Sequence, residues 1–166
     1  MLPEGVKKLL TRHDESWHLL LTVGQVLRHD DGVGPYIASQ LGNRKFLRVI
    51  DAGASPERVR VKDVYPGPVA WLVIIDAADF DGKPGEIRLI PPGKIPESFP
   101  STHTISWKFL VSLLSQACGL APRFIGIQPG RLDVGEGFSP QVKQAADEIV
   151  SYLKHQFPRR QYSRQP

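Results

Sequence analysis

Two long apolar runs constrain the fold of this chain more than any other feature of its sequence. Residues 17–23 (WHLLLTV) and 69–75 (VAWLVII) are apolar at nearly every position, and they end at Gly24 and Asp76. Runs of this length that lack polar alternation are typical of strands buried on both faces. Such strands occur in parallel sheets that helices cover on both sides.

Weaker strand and helix patterns fill the rest of the chain. Strands are predicted at 46–50 and 123–127, and an alternating edge strand at 86–90. Helices or turns are predicted at 36–41, at 56–64, from Ser101 to a stop at Gly119, and at 140–157. The alternation of strands and helices predicts an α/β fold with a largely parallel sheet of five strands.

The alternating pattern occupies residues 17–157, which are expected to form a single domain. Residues 1–16 precede it as an N-terminal extension with the apolar spacing of a short amphipathic helix. Residues 158–166 form a tail with three arginines and no acidic residue. Because the rest of the chain nearly balances its charges, the net charge of +4 indicates a solvated tail and no nucleic-acid partner.

Several classes of protein are excluded by what the sequence lacks. No apolar run reaches the ~18 residues of a membrane span, and Leu9-Leu10 is too short for the core of a secretory signal. A cytoplasmic protein without membrane insertion is therefore expected. The single cysteine, Cys118, excludes a disulfide framework and a multi-cysteine zinc site.

Three candidate ligands fall where one edge of the predicted sheet should be. Asp31 lies in the loop after the first strand, Asp76 ends the third strand, and His103 precedes a helix. The carboxyl ends of parallel strands share one edge, so these residues can converge there. Two carboxylates and an imidazole suit nickel, zinc, manganese or iron and leave coordination positions open. The positive end of a helix also favours the neutral imidazole that binds metal.

Each of these residues also has a structural interpretation. Asp76 could cap the next turn, Asp30 could cap the following helix, and His103 could be an exposed or capping residue. His29 beside the carboxylate pair is either a further ligand or a salt partner. No Ser/His/Asp or Cys/His nucleophile set is evident, and Cys118 is more typical of a core residue. A dinucleotide fold is disfavoured because G-x-G-x-x-G does not follow the first strand.

Five segments occur together in a characteristic order. They are VGQVLRHDDGVGP at 23–35, VIDAGASPE at 49–57, IIDAADFDGKPGEIRLI at 74–90, STHTI at 101–105 and GIQP at 126–129. Together they resemble the nickel-iron hydrogenase maturation endopeptidases over about residues 18–153. The PGEIR and GIQP segments are most similar to the branch that serves the hydrogenase-3, formate-hydrogenlyase type of enzyme.

The resemblance implies a fold, a substrate and a site. The fold would be a three-layer, phosphorylase/hydrolase-like sandwich with a twisted, mostly parallel five-stranded sheet between helices. The activity would be an aspartyl-type endopeptidase, expected as a monomer, that removes the C-terminal extension from a hydrogenase large-subunit precursor after nickel insertion. Nickel would be supplied by the precursor and recognised by Asp31, Asp76 and His103. The family usually has asparagine where this chain has Gln25.

Two functions of other classes stay open from sequence alone. The same residues would serve a non-catalytic, metal-dependent chaperone that holds the precursor without cutting it. They would also serve a metal-dependent amidase that acts on small molecules.

Overall fold

The computed structural model describes residues 1–60, 69–91 and 107–159, and a five-stranded sheet lies at its centre. The strands are β1 (Trp17–Thr22), β2 (Leu47–Asp51), β3 (Val69–Ala77), β4 (Ile87–Ile90) and β5 (Arg123–Ile127). Their order across the sheet is β2-β1-β3-β5-β4, and all neighbouring pairs are parallel except β4 with β5. The predicted fold, a mostly parallel five-stranded sheet, is confirmed.

Helices cover both faces of the sheet. They are α1 (Glu4–Leu10), α2 (Val33–Leu41), α3 (Trp107–Cys118) and α4 (Pro140–Gln156). Along β3 the buried side chains alternate: Val73 and Ile75 pack with α1, α2 and α4, whereas Leu72 and Ile74 pack with α3. This alternation divides the core into two apolar layers, which is the predicted three-layer sandwich. No helix in the described residues is long and apolar enough to cross a bilayer.

Several elements differ from their predicted bounds for identifiable reasons. Helix α2 starts at Val33, earlier than predicted, because Pro35 can occupy its first turn, where backbone N–H groups have no intrahelical partner. Strand β3 continues past Asp76 to Ala77, which pairs with Ile127 of β5. The predicted turn at 56–64 is a 3₁₀ helix over Pro56–Arg58, and 61–64 lie outside the described residues.

The N-terminal extension is helical in part and packs against the domain. Leu2, Val6 and Leu10 are buried in the same apolar layer as α2 and α4. The Thr11 and Tyr152 hydroxyls also lie 2.8 Å apart in hydrogen-bond contact. Residues 1–11 therefore contribute to the core.

His18, on β1, is a buried histidine inside the apolar layer. Its Nδ1 lies 3.2 Å from the Phe46 carbonyl oxygen, and its ring packs edgewise against Trp71 and Phe157. Its Nε2 is buried without a hydrogen-bond partner in the described residues. Burial disfavours the imidazolium and lowers the pKa of His18 below the usual 6.5.

We expect His18 to make the fold less stable in mild acid. Below pH 6.5 the unfolded chain takes up a proton that the native state does not, so the free energy of unfolding falls as the pH falls. One such group contributes at most about 1.4 kcal/mol per pH unit. Urea unfolding between pH 7.5 and pH 5 should show a shallower pH slope for His18→Leu than for the wild type. Equal slopes would contradict this assignment.

Candidate functional site

Strands β1 and β3 are neighbours near the middle of the sheet, at the point where the order of the strands along the chain reverses. From β1 the chain crosses to β2 on one side, whereas β3 and the later strands lie on the other. Ligands of open α/β sheets bind at the carboxyl ends of the strands where the order reverses in this way. Asp31 lies in the 3₁₀ turn His29–Gly32 that follows β1, and Asp76 is the penultimate residue of β3. Both carboxylates therefore belong to the edge that this topology favours for ligands.

The side chain of Asp76 is buried, and only one of its two carboxylate oxygens has a hydrogen-bond partner among the described residues. Its exposed fraction is 1%, its Oδ1 accepts a hydrogen bond from the Ala77 N–H at 2.8 Å, and its Oδ2 has no partner in the described residues. Burial raises the pKa of Asp76 well above its ordinary value, and the nearby charge of Asp31 raises it further. A cation bound to both carboxylates would compensate the burial and the repulsion, so this donor set fits a metal ion.

Asp31 is held in place by the backbone around it. Its Oδ2 accepts a hydrogen bond from the Gln25 N–H at 3.1 Å, and its side chain is almost fully buried. A Cβ at Gly24, where φ is +146°, would lie 1.9 Å from the Asp31 carbonyl oxygen. Glycine is therefore required at the end of β1 for the close approach of this turn. Gln25 contributes its backbone N–H to this contact, so the contact does not depend on the identity of its side chain.

The third predicted ligand, His103, lies outside the described residues. Within the described ranges, no group of three or more His, Cys, Asp or Glu residues forms a ready metal site. The structure thus brings Asp31 and Asp76 into electrostatic contact, and the metal site of Asp31, Asp76 and His103 stays a prediction.

Comparison with known proteins identifies the family. The family model for hydrogenase maturation proteases matches residues 33–156. The chain belongs to the hydrogenase maturation protease family. It is therefore a peptidase, as the ordered motifs predicted.

Individual relatives agree with this assignment. The hydrogenase 3 maturation protease of Escherichia coli K12 is 33% identical over 141 residues, which cover 82% of this chain and 88% of the relative. The solution structure of the endopeptidase HycI from Escherichia coli has a TM-score of 0.72 and 31% identity, covering 84% of this chain and 90% of that one. The Thermococcus kodakarensis HycI crystal structure has a TM-score of 0.73 at 23% identity, covering 91% and 99%, and shows the same fold.

Asp30, the neighbour of Asp31, has a structural role in the protease. Its Oδ2 accepts hydrogen bonds from the Gly130 and Arg131 N–H groups and from the Ser139 hydroxyl, at 2.8, 3.0 and 2.6 Å. Its Oδ1 accepts one from the Ser139 N–H at 2.6 Å. Asp30 does not cap α2, which begins after Gly32 without a side-chain cap, so that detail of the structural interpretation is wrong. It anchors the loop between β5 and α4.

His29 also contacts the loop between β5 and α4. The guanidinium of Arg131 lies 2.8 Å from its Nε2, the Gly137 carbonyl oxygen lies 3.3 Å from its Nδ1, and the Asp133 carboxylate lies 3.6 Å from Nε2. Both ring nitrogens of His29 are therefore engaged by this loop, and whether His29 is a salt partner or a further ligand stays a prediction. The backbone of His29 has a φ of +46°, so this orientation requires an unusual conformation.

The side chain of Gln128 holds the loop that follows β3, a structural role that was not predicted from the sequence. Its side-chain oxygen accepts hydrogen bonds from the Phe80 and Gly82 N–H groups at 2.9 and 3.0 Å, and its amide donates to Asp79 at 3.1 Å. These contacts fix the loop after β3 and connect the GIQP segment to the DFDG segment. A lone polar residue directly after an apolar strand was the available signal.

Cys118 is a core residue, as predicted. It is 8% exposed at the end of α3, and burial raises the pKa of its thiol, which disfavours the nucleophilic thiolate.

Proposed function

We propose that this protease removes the C-terminal extension from the large-subunit precursor of a nickel-iron hydrogenase, and that it does so only after nickel insertion. The observation that carries the proposal is the buried Oδ2 of Asp76, which has no hydrogen-bond partner among the described residues and lies near the charge of Asp31. Membership of the hydrogenase maturation protease family and similarity to a hydrogenase 3 maturation protease support the choice of substrate.

The nickel ion enters with the precursor, as part of the substrate. Asp31 and Asp76 would provide carboxylate oxygens, and His103 would provide an imidazole nitrogen. Without nickel in the precursor, docking gains no ligation energy from these three side chains. Selectivity for the nickel-loaded precursor would follow from this difference.

Hydrolysis adds the hydroxyl group of a water molecule to the scissile carbonyl carbon, and the leaving amine receives a proton. A carboxylate of the site would take a proton from the attacking water and pass it to that amine. The substrate's nickel can alternatively polarise the carbonyl.

The proposal is tested with purified large-subunit precursor in nickel-loaded and nickel-free forms. Wild-type protease should shorten only the loaded form, and intact mass should show a single cut that releases the extension. Asp31→Ala and His103→Ala should each prevent the cut. Cleavage of the nickel-free precursor would overturn the recognition of nickel, and an unchanged precursor mass would point to a chaperone.

A further inference from the structure

Three aliphatic side chains are exposed to solvent in the loops that follow β1 and β5. Val26, Leu27 and Val134 have exposed fractions of 56, 55 and 84%. We refer to these three residues as the rim patch. Single exposed aliphatic residues are common, but neighbouring ones on a soluble protein indicate a contact surface.

Two loops that are distant in sequence bring the rim patch together. The Gly135 N–H donates to the Leu27 carbonyl oxygen at 2.9 Å, and Arg28 and Gly135 form a β-bridge. At Gly135 a Cβ would lie 2.0 Å from the His29 Nε2, so only glycine allows this approach. Val134 therefore lies beside Leu27 because of a specific backbone pairing.

Hydrogen bonds and a close backbone contact hold the loops that carry the rim patch. Four hydrogen bonds to Asp30 fix the loop that carries Val134, and the Arg28 Nε donates to the Leu132 carbonyl oxygen at 3.1 Å. The backbone of Val26 packs closely against Gly32, where a Cβ would lie 3.0 Å from the Val26 Cα. Apolar groups fixed outward by such a framework do not contribute to the core, and burial against a partner would be favourable.

Two residues of the rim patch directly follow, in sequence, a residue that contacts Asp31. The Gln25 N–H binds the Asp31 carboxylate, and Val26 and Leu27 are the next two residues. We propose that the rim patch docks aliphatic side chains of the hydrogenase large-subunit precursor that adjoin its nickel site. This inference rests on the proposed function. Such a contact makes recognition depend on the protein residues around the metal, whereas ligation of the metal ion alone does not depend on the sequence of the precursor.

The test removes the apolar character of the rim patch and keeps its shape. The variant Val26→Thr, Leu27→Asn, Val134→Thr is compared with the wild type and with Glu136→Gln, an exposed residue of the same loop. The affinity for nickel-loaded precursor is measured by calorimetry, and KM and kcat are measured by gel-based cleavage. We expect Kd and KM to rise about tenfold in the triple variant, with kcat unchanged and with Glu136→Gln like the wild type.

The outcomes separate this inference from the proposed function. Unchanged Kd and KM in the triple variant overturn the rim patch as a docking surface, while cleavage by the wild type still supports the proposed function. Failure of the wild type to cut nickel-loaded precursor overturns the proposed function itself. A wild-type dimer that becomes monomeric in the triple variant, seen by sedimentation velocity, shows a self-interface and overturns the inference. If the triple variant does not fold, the single change Val134→Thr, at the most exposed of the three positions, is measured by the same criteria.

Discussion

Asp76→Asn is expected to reduce cleavage of the nickel-loaded precursor by at least about 100-fold while the fold stays at least as stable as the wild type. Asparagine has the same size, and its side-chain oxygen can still accept the hydrogen bond from the Ala77 N–H. The substitution removes the charge that ligation would require. It also removes a buried ionisable group that burial and Asp31 both disfavour.

The pH dependence of stability gives a second readout of the same variant. Because the pKa of Asp76 is raised in the fold, the native state keeps a proton that the unfolded chain releases above about pH 4. The native state thus binds more protons, and wild-type stability falls as the pH rises through this window. Asp76→Asn should lack this contribution when urea unfolding is measured across the window.

Asp51→Asn is the matched control for Asp76→Asn. Asp51 ends the neighbouring strand β2, but it is exposed, and it binds the Gly53 N–H and the Thr22 hydroxyl. The same chemical change there should leave cleavage near the wild-type rate. If Asp76→Asn also cleaved at that rate, Asp76 would have no part in the reaction.

Asp30→Asn is expected to lower the free energy of unfolding by about 3 kcal/mol. The Asp30 carboxylate accepts four hydrogen bonds from one loop, three of them on a single oxygen. An asparagine amide has one accepting oxygen, and its NH₂ group would face donors that then have no acceptor. For a chain of this size the melting temperature should fall by about 6–12 °C, which calorimetry can measure.

Asp31→Asn, one residue further along, is the control for Asp30→Asn. Its side-chain oxygen can still accept the hydrogen bond from the Gln25 N–H, so we expect a smaller loss of stability than for Asp30→Asn but a strong loss of cleavage. The two adjacent carboxylates would then have separate roles. Equal melting temperatures for Asp30→Asn and the wild type would show that the four hydrogen bonds do not hold the loop.

The sheet and the proximity of Asp31 to Asp76 could be predicted, because both depend on local hydrophobic patterns and on the sheet topology that those patterns imply. Apolar runs without alternation specify buried parallel strands, and the ends of such strands meet at one edge. The alternating 86–90 segment was likewise predicted as an edge strand, and β4 lies at the edge of the sheet.

The sequence predicted a structural role for Asp30 but not the partners of its carboxylate. Its partners Gly130 and Ser139 are about one hundred residues away, in a loop without regular periodicity. The positive φ of His29 has no signature in its own residue type, since most histidines avoid that conformation. The contacts of Gln128 with the loop after β3 depend in the same way on tertiary placement.

The attachment of Asp30 to residues 130–139 has a consequence for the order of events during synthesis. Protein chains emerge from the ribosome from the N-terminus onward, and contacts between distant segments form late. The turn that carries Asp31 emerges early, but its hydrogen-bond partners follow about one hundred residues later. A nascent chain therefore lacks the four hydrogen bonds to Asp30 until residues 130–139 have been made. The support of the turn that carries Asp31 is coupled in this way to synthesis of the loop between β5 and α4.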